Sequence, residues 1–182
     1  MNTYTIRQSA LVHFITADTK SAPLWLLVRL YLGWEFVSAG YEKLLNPAWF
    51  GTNAGAALNG FVQGALGKTG GAHPDVQMWY ATFLQNSVIS HITLWSNAVV
   101  IGEIAIGLGL IVGLCTATAA FFASFMSFNF MLAGTVSLNP ILMLLGISII
   151  AGRRVAGNWG LDRYAKPLCK RMCRFGKRNQ TP

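Results

Sequence analysis

Four stretches of this chain are apolar over nearly the length a helix needs to cross a lipid bilayer, about 20 residues. They are residues 24–45 (LWLLVRLYLGWEFVSAGYEKLL), 91–113 (HITLWSNAVVIGEIAIGLGLIVG), 115–136 (CTATAAFFASFMSFNFMLAGTV) and 140–156, built on ILMLLGISIIAG. Inside lipid a backbone has to satisfy its own hydrogen bonds, so such stretches fold as helices. The expected fold is all-α, an integral membrane four-helix bundle. Only 11% of the residues are charged, against about a quarter in a typical soluble domain, so a water-facing surface all round is not expected.

The connections constrain the order of helices. Gly113-Leu114-Cys115 joins spans two and three in a tight hairpin, and Ser137-Leu138-Asn139-Pro140 joins three and four, with Pro140 suited to a helix start. Spans one and two are separated by a long outer segment, 46–90, Gly-rich at first and then amphipathic. In it Val76, Trp79, Tyr80, Phe83 and Leu84 recur at helical spacing, which predicts a helix lying in the membrane interface or packed on the bundle.

Residues 1–23 are expected to be a cytoplasmic lead-in. Their apolar piece, Leu11–Ile15, is too short for a signal peptide, and no small-residue cleavage site follows it. The net charge is +8, and nine of the fourteen Lys and Arg residues lie from Arg153 onward. Basic residues of this kind stay on the cytoplasmic side, so both termini are expected there, with 160–182 a basic tail against anionic lipid. No nucleic-acid partner is expected, because the basic residues are not spread over a soluble face. The partners expected are the bilayer itself, in a bacterial or archaeal plasma membrane, and a second redox subunit or further copies of the chain.

Ionisable residues at bilayer depth cost about 2.5–3.5 kcal/mol each on insertion scales and commonly mark functional sites. Span one carries Arg29, Glu35, Glu42 and Lys43, and span two carries Glu103. Counted from the inner ends of the spans at about 1.5 Å per residue, Glu35 lies about 16 Å and Glu103 about 15 Å deep. Tyr31, Glu35, Ser38 and Glu42 form one stripe along span one, and Ser96, Val99, Glu103 and Gly107 a matching one on span two. The expectation is that the stripes meet, with Arg29 compensating at least one carboxylate. Glu35, Glu103 and Arg29 are then candidate catalytic groups. Tyr31, Ser38, Ser96 and Asn129 are candidates for binding a quinone or another redox ligand. A cluster that only fixes helix register explains the same residues. Phe121, Phe122, Phe125, Phe128, Phe130, Met126 and Met131 read as core or lipid-facing side chains, and such residues also line apolar ligand slots.

Other chemistry is sparse. Cys115, Cys169 and Cys173 include no C-x-x-C pair, His13, His73 and His91 are scattered, and no metal site is expected. Any redox cofactor would be non-covalent or carried by a partner.

The runs Arg29-Leu-Tyr-Leu-Gly33, Gly40-Tyr-Glu-Lys43-Leu, Gly102-Glu103-Ile-Ala-Ile-Gly107-Leu-Gly109 and Gly157-Asn-Trp-Gly-Leu-Asp162-Arg-Tyr, in this order and spacing, resemble the DoxX/DoxD family of membrane proteins. The resemblance runs from about residue 24 to residue 164. It implies a four-helix membrane bundle and a link to oxidoreductase systems, the family being named for the small subunit of a thiosulfate:quinone oxidoreductase. Distant relatives are assembly factors, so a non-catalytic membrane scaffold is the alternative. Arg29, Lys43, Glu103 and Asp162 are the charged positions that match. Asp162 is expected to cap the tail helix or to pair with Arg29 at the inner end of the bundle.

Overall fold

The computed structural model describes residues 9–164, and all of their regular secondary structure is helical. The predicted tail thus falls mostly outside the described residues, with Cys169 and Cys173. Helix α1 (Ala10–Ala17) is capped by Ser9, whose Oγ accepts from the Val12 N–H at 3.3 Å. A 3-10 turn, Thr19–Ser21, leads into α2 (Ala22–Leu45), which has Pro23 in its first turn. Trp25 Nε1 donates to the Ile15 carbonyl at 2.8 Å and ties the lead-in to α2.

The outer segment holds α3 (Ala56–Leu66) and α4 (Met78–Phe83). Helix α4 does not stop before the next span. It continues through a π-helical turn, Leu84–Val88, and a 3-10 turn, Ile89–His91, into α5 (Ile92–Val112). Met78–Val112 is therefore one helical run of 35 residues, the one helix among the described residues that is long and apolar enough to cross a membrane. Helices α6 (Thr116–Leu132) and α7 (Asn139–Ala151) are apolar but shorter. The predicted fourth span, 140–156, is cut short because the chain turns at Gly152 and continues in turns to Trp159.

Both predicted hairpins form. Gly113 (φ +73°) and Cys115 (φ +50°) take left-handed conformations between α5 and α6, and Ser137 (φ +39°) does so between α6 and α7. Helix α2 packs along α5, α5 along α6, α6 along α7, and α7 touches α2. One core joins α2, α5, α6 and α7 through Trp25, Leu32, Phe36, Leu110, Ala120 and Ile149.

A second core lies beneath the outer segment. Val76, Tyr80, Leu84 and Val88, spaced four residues apart, are buried with Leu58 and Val62 of α3. Of the amphipathic residues read from the sequence, Val76, Tyr80 and Leu84 point inward, while Trp79 and Phe83 remain exposed. The segment thus packs on the other helices through its apolar stripe.

Candidate functional site

The antiparallel register of α2 and α5 is set by glycines. A Cβ on Gly107 would lie 2.6 Å from the Gly33 carbonyl oxygen and 2.7 Å from the Val37 nitrogen. A Cβ on Gly40 would lie 3.0 Å from both the Glu103 Cβ and the Ile104 nitrogen. Small residues permit this backbone approach, and it places Glu103 level with Gly40. Glu35 stands five residues away, about 7.5 Å nearer the start of α2 at the helical rise.

The expected meeting of Glu35 with Glu103 therefore does not occur. Glu103 is buried, and the cation beside it is Lys43. The Lys43 ammonium donates to Oε2 at 2.7 Å and Oε1 at 2.9 Å. The same ammonium sits over the Trp49 ring, 5.5 Å from its centroid. The Trp49 carbonyl in turn accepts from the Ser96 hydroxyl at 2.6 Å. Ser96, one of the expected binding residues, thus serves to hold the loop after α2 against α5.

Arg29 is also not beside Glu35 or Glu103. It is fully buried near the other end of α5, where its guanidinium fork reaches four carbonyl oxygens. Nε donates to Leu110 at 2.9 Å and Nη1 to Ala156 at 2.9 Å. Nη2 donates to Ile111 at 3.3 Å and to Trp159 at 3.4 Å. Two of these carbonyls belong to the last turn of α5, where they lack helical partners and carry the negative end of the helix dipole. The carboxylate whose charge Arg29 feels is Asp162. Asp162 accepts from the Cys115 N–H at 2.7 Å and the Thr116 N–H at 3.1 Å, capping α6. Its own N–H donates to Gly113 at 2.8 Å. The Gly157–Asp162 run is thus a latch across the α5–α6 hairpin. Gly113 admits Arg29 there, because a Cβ on it would lie 2.6 Å from Nη2.

Tyr31, Glu35, Ser38 and Glu42 do share a face of α2, but not the one that meets α5. Tyr31 and Glu42 are exposed, and Glu35 and Ser38 are half-buried. Tyr31 interacts with Glu35 one turn away, and Ser38 donates to the Trp34 carbonyl of its own helix at 2.8 Å. On α5, Ser96, Val100, Glu103, Ile106, Gly107 and Leu110 are the buried positions, and the half-buried Val99 is not among them.

Val99 lines a cavity of about 490 Å³ on the far side of α5. Its walls are Leu58, Phe61 and Val62 of α3, then Tyr80, Phe83, Leu84 and Val88 around the π-helical turn. Trp95, Ala98, Val99, Gly102, Ala105 and Ile106 of α5 and Phe122, Phe125, Met126, Asn129 and Phe130 of α6 complete it. Ala98, Ala105, Phe122 and Phe125 are exposed, so the cavity opens sideways between α5 and α6. Tyr80 Oη donates to the Asn129 carbonyl at 3.0 Å and approaches Asn129 Oδ1 at 3.3 Å. Asn129 Nδ2 donates to the Phe125 carbonyl at 2.8 Å, and an amide nitrogen carries a second N–H. Asn129 is the one expected binding residue that reaches the cavity. Glu103 faces α2 instead. Tyr80 was visible in the sequence only as part of an amphipathic stripe, and nothing there joined it to Asn129.

A family model for DoxX matches residues 24–137. No curated protein and no solved structure matches the chain.

Proposed function

The chain belongs to the DoxX family, whose members are membrane-associated, and from that premise we propose that it is a membrane subunit of an oxidoreductase system, binding a quinone-class ligand in the cavity between α3, α4, α5 and α6. Helices α2, α5, α6 and α7 are the four membrane spans of this reading, with both termini cytoplasmic and α3 and α4 on the outer side. The single observation that carries it is the cavity. Its volume of about 490 Å³ falls in the range of small-molecule sites, about 300–1,000 Å³. It opens towards the region lipid would occupy, which suits a ligand delivered from the bilayer. The second N–H of Asn129 is available to a quinone carbonyl, and the Tyr80 oxygen to a quinol hydroxyl. Electrons come from a sulfur or thiol donor held by a partner subunit. The chain's own contribution is to bind and orient the ring away from water.

The charged residues support a second reading, a non-catalytic scaffold or assembly factor. Arg29 and Asp162 are engaged at the hairpin and Lys43 with Glu103, which is the role a register-fixing cluster plays.

The test is titration of a short-chain benzoquinone into the purified protein in nanodiscs, read as quenching of Trp95 by difference from Trp95→Phe. Saturable quenching is expected. Gly102→Leu and Asn129→Leu should weaken it at least tenfold, while Glu103→Gln should leave it unchanged if folded. No saturable quenching in folded wild type would leave the scaffold reading standing.

A further inference from the structure

One intramembrane charge is not used inside the fold. If α2 spans the bilayer, as the reading above has it and on which this inference rests, Glu35 lies near the midplane. It is thirteen residues from Ala22 and ten from Leu45, about 20 and 15 Å at the helical rise. Leu24, Val28, Tyr31, Glu35, Ser38 and Glu42 follow one another at spacings of four and three, a continuous seam along α2. Every one of them is exposed or half-buried. Among the described residues, the side chain that engages Glu35 is Tyr31, on the same seam. No lysine or arginine among the described residues pairs with it.

Intramembrane carboxyls pair with a cation or face the interior of a bundle, and this one does neither among the described residues. We propose that this seam of α2 docks a partner transmembrane helix carrying a lysine or arginine at mid-depth, which pairs with Glu35. Charge decides against a second copy as the occupant. A symmetric pair would set Glu35 against the same acidic seam, and no cation among the described residues is on offer at that depth. Arg29 is fully buried on four carbonyls, and Lys43 is held by Glu103. The remaining described basic residues lie outside α2, α5, α6 and α7. Tyr31 and Ser38, above and below the carboxyl, give the incoming helix further hydrogen-bonding groups, and a seam of this spacing is the geometry helices use to pack along one another.

The experiment measures resonance energy transfer in bilayers between the full-length protein and a synthetic polyleucine helix with one central lysine. The lysine helix should associate at least tenfold more tightly than the same helix with a central leucine, and Glu35→Leu and Glu35→Ala should each remove that difference. Equal association of the two helices, or a preference that survives in both variants, overturns the proposal. So does self-association of the wild type that depends on Glu35, which would make a second copy the occupant. A nitroxide at Trp34→Cys, in a background without the other cysteines, separates the two levels of the argument. Exposure of that label to a water-soluble relaxant removes the membrane reading and the docking seam with it. Exposure to oxygen in lipid, without lysine-dependent association, removes the docking seam alone.

Discussion

Lys43 and Glu103 offer the most direct separation of a structural charge pair from a catalytic one. Glu103 is 2% exposed, whereas the Lys43 side chain is 20% exposed. Breaking a buried ion pair by removing one partner costs about 3–5 kcal/mol, because the other charge is left uncompensated. Partial exposure of the ammonium end puts the loss at the low end for Lys43→Met, about 3 kcal/mol, with the Glu103 carboxylate stranded between α2 and α5. Replacing both groups removes the stranded charge as well as the attraction. Lys43→Met with Glu103→Leu should therefore recover most of the loss and come within about 1 kcal/mol of wild type. The assay is reversible unfolding in mixed micelles, with helix content as the readout, for wild type, both single variants and the double. A coupling of about 2 kcal/mol or more between the two sites is expected for groups in direct contact. Additive losses from the two single variants would refute the reasoning, since they would mean that neither charge depends on the other.

Three further outcomes follow from the geometry. Gly107→Ala should cost about 1–3 kcal/mol by overpacking, since its Cβ would strike the α2 backbone, whereas Gly60→Ala and Gly64→Ala in α3 meet nothing within 4 Å and should stabilise by about 0.5–1 kcal/mol; unfolding midpoints in detergent check both. Arg29→Lys should destabilise by about 2 kcal/mol or more, because one ammonium cannot reproduce a fork that serves four separate carbonyls, and Asp162→Ala should cost at least the ~1 kcal/mol of a lost helix cap, both read in the same unfolding assay. Gly102→Leu should raise stability by about 0.5–2 kcal/mol by filling the cavity, with the melting temperature rising in the variant whose quinone quenching falls.

What the sequence disclosed, and what it withheld, can be traced to particular residues. The two hairpins were legible because three- and four-residue connectors leave no other arrangement, whereas the cap that Asp162 forms was not, because its place in the chain pointed to the tail helix and it caps α6 instead, whose first residue lies 46 positions earlier. The depth argument for Glu35 and Glu103 failed for a physical reason. It measured each residue from an assumed membrane boundary, but the relative height of two packed helices is fixed where their backbones touch. Gly33 and Gly107, and Gly40 and Ile104, decide that height, and they set Glu103 level with Gly40, within reach of the Lys43 ammonium. Lys43 was visible as a matching family position, yet its pairing depends on Gly40 bringing α2 close enough for the ammonium to reach. The cavity was the least legible feature, because its walls come from residues 58 to 130 and become neighbours only after α3 and the π-helical turn have packed on α5 and α6.

Helix α5 divides these roles between two faces. Ser96, Glu103 and the carbonyls of Leu110 and Ile111 are bound by α2 and its following loop, through polar contacts spaced along much of the helix. Trp95, Val99, Gly102 and Ile106 on the other side line open space. An apolar void forfeits dispersion contacts along its walls, so helices with no other restraint would close over it. Here one wall is fastened from behind by directional polar contacts, and another includes Leu84 and Val88 of the π-helical turn, an irregularity frequent at functional sites. The buried charges and the apolar cavity are in this sense one device. On the reading proposed above, the charges act at a distance from the ligand, as contacts that hold α5 against α2 and away from the cavity.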